Sequence, residues 1–82
     1  MLTIQNDRLY RGGVPVTFVP TPNQGGRILP TIICLHDTAG GLTKGSTVSW
    51  FTNPKAKVSA HFVVERDGTI TQMVECDRAA WH

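Results

Sequence analysis

Short apolar segments separated by turn residues make up the first third of the chain. Residues 1–30 hold four of the five prolines and four of the eight glycines. Apolar and polar residues alternate from Val14 to Phe18, which is the two-residue period of a half-buried strand. Because proline donates no hydrogen bond to a central ladder, the pattern predicts short edge strands and loops, with one strand over residues 14–18.

A short apolar run, Thr31 to Leu35, precedes the polar and glycine-rich stretch HDTAGG. The run is rich in β-branched residues and is bounded by proline, which predicts a strand buried on both faces. Cys34 lies inside it, and we expect a small core residue there because free cysteine is commonly buried. His36 then falls at the carboxyl end of the predicted strand, where open α/β sheets place ligands. The alternative is a structural histidine held by a hydrogen bond.

A short helix and a hairpin are predicted in the second half of the chain. Ser46 is expected to cap a helix that ends before Asn53, because the residue before proline disfavours helical geometry. The segment AHFVVERDGTITQMV reads as two strands joined at Asp67–Gly68, a dipeptide that supplies the positive φ angles of a tight hairpin. The remaining residues, ECDRAAWH, are predicted to form no further element.

Composition describes one small globular domain. At 82 residues the chain is expected to bury about 60–65% of its unfolded surface. The net charge of +2 comes from scattered basic residues, so nucleic-acid binding is not expected. No apolar segment approaches membrane length, and the N-terminus lacks a basic region followed by a long apolar core, so synthesis for the cytoplasm without a signal peptide is expected.

Histidine and cysteine supply the candidate metal ligands. Two cysteines are too few for a disulfide framework, and Cys76 is a minor candidate for zinc because thiolates bind that metal. His36, His61 and His82 include no closely spaced pair such as H-x-x-x-H. Their spacing alone therefore does not predict a zinc site.

Four sequence elements in order give the chain a family resemblance. HDTAGG after an apolar strand, a helix ending near WFTNP, then VSAHFVVERDGTITQMV and finally AAWH resemble the N-terminal half of zinc-dependent N-acetylmuramoyl-L-alanine amidases. This amidase type 2 group includes phage lysozyme-like (endolysin-like) enzymes and is related to peptidoglycan recognition proteins. The resemblance implies an α/β (α+β) fold with a mixed β-sheet and a flanking helix. It divides the chain into an N-terminal strand and loop extension, residues 1–30, and the N-terminal half of an amidase-like domain, residues 31–82.

The resemblance also assigns roles to individual residues. His36 matches the first zinc ligand of the family. His61 follows a position that some members fill with a catalytic tyrosine and that holds Ala60 here. His61, Trp81 and His82 are thereby implied to line the substrate groove. The catalytic residue stays unknown, because the family's other zinc ligands and its catalytic acid or base come after the AWH element.

The implied activity is hydrolysis of the peptidoglycan amide between N-acetylmuramic acid and L-alanine, with Zn²⁺ as cofactor. Zinc lowers the pKa of its bound water to about 7 and polarises the carbonyl. A catalytic site needs about three protein ligands, so His36 alone is not expected to hold the metal. We therefore expect a partial domain, with the missing half bound through an open sheet edge.

Two other interpretations stay open. One is a catalytically inactive, truncated prophage-type module that binds peptidoglycan or a protein partner, dimerising through the open edge. In either case the protein would act at the cell wall after release. The other drops the resemblance in favour of a small α+β domain in which Trp50 and Trp81 are core or interface anchors. For both tryptophans a core position is expected rather than sugar stacking, with Trp81 the candidate exception because it neighbours His82.

Overall fold

The fold is described from a computed structural model, for residues 1–30, 34–35 and 45–81. These residues form mixed sheets and one small helix, an α+β arrangement. The elements in chain order are β1 Leu2–Gln5, β2 Arg8–Arg11, β3 Val14–Pro15, β4 Thr17–Phe18, β5 Gln24–Arg27, α1 Ser46–Phe51, a 3₁₀ turn Pro54–Ala56, β6 Phe62–Val64, β7 Ile70–Gln72 and β8 Arg78–Ala80. No helix in this part of the chain is long and apolar enough to cross a membrane.

The first three strands form an antiparallel sheet with the order β1-β2-β3. Two-residue turns connect them. Asn6 and Asp7 have φ angles of 51° and 64°, and Gly12 and Gly13 have φ angles of 58° and 80°. Positive φ at both central residues is the hairpin turn that matches the twist of flanking strands. The short strands and turns predicted for this region are therefore confirmed.

The single strand predicted over residues 14–18 is wrong. β3 pairs with β2, whereas β4 pairs in parallel with β7 in a different sheet. The chain changes sheets at Val16, whose N–H donates to the carbonyl of Leu9 at 3.0 Å. Because β3 and β4 have different partners, the alternating residues from Val14 to Phe18 belong to two short strands in different sheets.

The predicted hairpin is confirmed as β6 and β7, which pair antiparallel with Val63 opposite Thr71. Its turn differs from the predicted one. Gly68 has a φ of 89°, but Asp67 is not among the residues with positive φ. The N–H of Gly68 donates to Glu65 O at 2.9 Å, and the N–H of Glu65 donates to Thr69 O at 2.8 Å. This is a three-residue loop in which glycine alone takes the left-handed conformation.

The segment after the hairpin was predicted to form no further element, and that prediction is wrong. β8 pairs antiparallel with β5, with Gln24 opposite Ala80 and Arg27 opposite Arg78. The strands approach closely at Gly25, where an added Cβ would lie 3.3 Å from the Cβ of Ala79. Two strand pairs cross residue 30, because β4 and β5 precede it in the sequence and their partners β7 and β8 follow it. The domain division at that residue stays a prediction.

The helix is confirmed, and it ends at Phe51 with Thr52 as its C-cap, before Asn53 as predicted. Its N-cap is Gly45, with a φ of 86°, and no side chain caps the helix. The prediction of Ser46 as the cap is therefore wrong by one residue. The N–H of Gly45 instead donates to the Glu65 carboxylate at 3.2 Å, which attaches the start of the helix to the hairpin.

The buried strand predicted for Thr31 to Leu35 is wrong at its last two residues. Cys34 is exposed, Leu35 is 90% exposed, and neither lies in a strand. A strand buried on both faces must be covered on both, and the open Leu35 side chain excludes that here. Cys34 is therefore not a core residue. Residues 31–33 lie outside the described part of the chain.

Gln72 connects the N-terminal sheet to the hairpin. Its side chain is fully buried, and the apolar core residues of the described part of the chain are Leu9, Val63, Met73 and Val74. The Gln72 Oε1 accepts the N–H of Leu9 at 2.9 Å, and its Nε2 donates to Asp7 O at 2.8 Å. Because these partners belong to β2 and the turn before it, one polar side chain joins the two sheets.

Candidate substrate groove beside strand β8

His61 lies against β8. The residue is half-buried and directly precedes β6. Its Nε2 is 2.6 Å from the carbonyl oxygen of Arg78. A carbonyl oxygen can only accept, so a ring proton is on Nε2, and in the neutral imidazole the lone pair is on Nδ1. The contact holds the Nε2 side of the imidazole against β8, and the neutral ring can accept a hydrogen bond only at Nδ1.

Trp81 directly follows β8 and presents its indole to solvent. The backbone N–H of Trp81 donates to Ser59 Oγ at 3.0 Å, and the backbone carbonyl of Trp81 accepts the N–H of Ser59. The ring passes over Gly25, where an added Cβ would lie 3.6 Å from the indole Nε1. Trp81 is 43% exposed and Trp50 is 54% exposed, so the expected core positions of both tryptophans are wrong. Within the described residues β8 pairs with β5 alone, and Trp81 lies just beyond the end of that strand.

A buried asparagine supports the segment that faces Trp81. Asn23 is 2% exposed. Its Nδ2 lies 3.3 Å from the carbonyl of Phe51, 3.0 Å from that of Asn53 and 3.1 Å from that of Val58. One amide group therefore joins the end of α1, the residue before the 3₁₀ turn and the chain approaching β6.

Thr21 and Ser59 complete this polar network. The hydroxyl of Thr21 donates to Phe51 O and accepts the N–H of Asn23 at 3.0 Å. The hydroxyl of Ser59 donates to Asn23 O. Sequence reasoning missed these residues. Their only signal was short polar side chains among the prolines of PTPN and before the hairpin, which is equally typical of exposed turns.

The surroundings of Cys76 favour its neutral thiol form. Its partial burial raises the pKa of the thiol, and the carboxylates of Asp7 and Asp77 raise it further, against an opposing hydrogen bond from Gln72. Zinc binds the thiolate form, so this environment disfavours Cys76 as a metal ligand.

The described residues do not assemble a zinc site. Within residues 1–30, 34–35 and 45–81 no three His, Cys, Asp or Glu side chains come together to hold a metal. His36, the predicted ligand, and His82, a predicted groove residue, both lie outside that part of the chain. Of the predicted site residues, the structure therefore places His61 and Trp81.

A separate open cavity of about 330 Å³ lies at the opposite end of the hairpin. Thr17 from β4 and Thr69 and Ile70 beside the hairpin turn contribute to its lining. Arg11 stands at this cavity and donates from Nη1 to Gly68 O at 3.0 Å. Neither His61 nor Trp81 lines it.

Comparison with known proteins identifies the family. Residues 24–82 match the family described as N-acetylmuramoyl-L-alanine amidase, and this span is more than half of the chain. The chain belongs to the N-acetylmuramoyl-L-alanine amidase family. The family resemblance seen in the sequence motifs is thereby confirmed. The amidase match begins at the first residue of β5 and includes the whole of α1, the hairpin and β8.

A curated relative is N-acetylmuramoyl-L-alanine amidase A of Achromobacter lyticus. It is 43% identical to this amidase-family chain over 51 residues, which cover 61% of the chain and 28% of the relative. The chain therefore spans less than a third of that relative's length. No solved structure matches the chain.

Proposed function

We propose that this chain is the N-terminal part of a peptidoglycan amidase and contributes the substrate-binding side of hydrolysis between N-acetylmuramic acid and L-alanine. The observation that carries the proposal lies inside the family-matched region. There the exposed indole of Trp81 and the fixed imidazole of His61 flank the same strand, β8.

The two side chains offer complementary chemistry to a sugar joined to a peptide. An exposed indole presents an apolar face together with a polar N–H, so the apolar face of a saccharide ring can pack on Trp81. The lone pair on Nδ1 of His61 can accept a hydrogen bond from an amide N–H of the stem peptide. The proposal therefore places the sugar at Trp81 and the peptide towards His61, with His82 as a further groove residue.

Zinc and its ligand His36 stay part of this proposal. When bound, zinc would supply a hydroxide near neutral pH and polarise the amide carbonyl. A catalytic site takes about three protein ligands, of which His36 is one. We expect the chain to bind peptidoglycan, and we expect hydrolysis only when further ligands are supplied by another segment or a partner.

Co-sedimentation with purified peptidoglycan tests this proposal. The chain offers a matched pair of variants, Trp81→Ala beside β8 and Trp50→Ala on α1, because both indoles are exposed. Trp81→Ala is expected to weaken binding about tenfold, the loss typical of a truncated aromatic anchor, and Trp50→Ala to leave it within about twofold. Failure of the unmodified chain to sediment, or equal losses in the two variants, would refute the proposal.

A further inference from the structure

We infer that Ser59, anchored by Asn23, is a positioning residue that sets the orientation of Trp81. The consequence for substrate binding rests on the function proposed above. Ser59 is 1% exposed and engages both backbone groups of Trp81. Its N–H donates to Trp81 O, and its Oγ accepts the N–H of Trp81 at 3.0 Å. One buried residue thus holds the backbone on which the exposed indole is carried.

The direction of the Ser59 hydroxyl is fixed by its second partner. A serine hydroxyl has one proton, and that proton goes to Asn23 O, which leaves the oxygen lone pairs to receive Trp81. The side-chain amide of Asn23 in turn donates hydrogen bonds to the carbonyls of Asn53 and Val58. The two residues that link these carbonyls to Trp81, Asn23 and Ser59, are both buried.

Strand pairing alone does not fix Trp81. The ladder between β5 and β8 is irregular between Gln24 and Arg27, and Trp81 lies beyond the last paired residue, Ala80. An exposed side chain that is free to move loses entropy when it binds, and this loss weakens binding. Fixing the backbone of Trp81 through Ser59 reduces that loss before the ligand arrives.

The test follows Trp81 by fluorescence. The sequence has two tryptophans, so Trp50→Phe leaves Trp81 as the sole indole. In that background Ser59→Ala removes the hydroxyl, and Ser49→Ala makes the same deletion at an exposed position of α1. We expect Ser59→Ala to red-shift the emission and increase quenching by acrylamide, while Ser49→Ala changes neither. Affinity for a soluble muramoyl peptide should fall about fivefold in Ser59→Ala, the effect of one lost hydrogen bond.

Ser59→Thr keeps the hydroxyl and should restore both the emission and the affinity. Unchanged emission and quenching in a folded Ser59→Ala variant would overturn the inference, and shifted emission with unchanged affinity would overturn its consequence for substrate binding. If Ser59→Ala does not fold, hydrogen exchange on the unmodified chain tests whether Ser59 holds the backbone of Trp81. The amides of Ser59 and Trp81 should be protected as strongly as the β6–β7 ladder, and unprotected exchange would overturn the inference.

The inference and the proposed function fail separately. If the chain with native Ser59 binds no muramoyl peptide while Ser59→Ala still shifts the Trp81 emission, the positioning by Ser59 stands and the proposed function falls.

Discussion

Replacing Gln72 with alanine tests the connection between the N-terminal sheet and the hairpin. The side chain is fully buried and bonds Leu9 N–H at 2.9 Å, Asp7 O at 2.8 Å and Val74 O at 3.0 Å. Each hydrogen bond contributes about 1 kcal/mol net, and removal leaves a buried Leu9 N–H without its partner. We therefore expect Gln72→Ala to lower the free energy of unfolding by about 2–4 kcal/mol. A domain of this length has roughly 4–12 kcal/mol in total, so the loss is a large fraction.

Urea unfolding measures this loss, with the free energy obtained by linear extrapolation for each variant. Gln5→Ala is the matched control, because it replaces the same residue type at an exposed position of β1. The control is expected to change stability by less than about 0.5 kcal/mol. In Gln72→Ala, trypsin should also cleave faster at Arg8 and Arg11, since the N-terminal sheet loses its attachment. A stability loss no larger than that of Gln5→Ala would refute the role given to Gln72.

Three further predictions concern titration, the imidazole and the metal. The raised pKa of Cys76 means that the unfolded chain loses this thiol proton first as the pH rises. Its stabilising contribution is thus present below the unfolded pKa of about 8.5 and lost as the pH rises through the folded pKa. Urea melts between pH 7 and 10 should show a smaller decline in Cys76→Ser, and equal declines would contradict the assignment. His61→Phe should lower stability by about 1 kcal/mol by deleting the bond to Arg78 O, whereas His61→Gln, which keeps a donor, should lower it less; equal losses in urea would exclude that bond. His36→Ala should remove any zinc that the chain retains after gel filtration, and metal analysis showing zinc still bound would exclude His36 as its ligand.

The sequence was most informative where the structure depends on residues that are adjacent along the chain. The hairpin followed from alternating residues around Asp67–Gly68, because turn geometry is a local property. The end of α1 followed from the proline after Asn53. The ordered motifs from HDTAGG to AAWH were sufficient to identify the family.

What sequence reasoning missed depends on partners far along the chain. Arg78–Ala80 has no alternating pattern, and it becomes a strand because β5, about fifty residues earlier, pairs with it. Gln72 and Asn23 are polar residues that a sequence pattern assigns to the surface, yet their amides are buried because distant backbone groups need partners. Val16 illustrates the same limit, since the change of sheets there is set by β2 and β7 rather than by local sequence.

We propose that the surface beside β8 that carries Trp81 and His61 recognises a sugar joined to a peptide. The most direct measurement is the affinity of the chain for N-acetylmuramic acid linked by an amide to an L-alanyl peptide, compared with the free sugar and the free peptide, followed by the fluorescence of Trp81 in the Trp50→Phe background. We predict tighter binding of the linked compound than of either part, because Trp81 and His61 engage both halves at once. Equal affinities for the three compounds, or no binding of the linked one, would contradict the account.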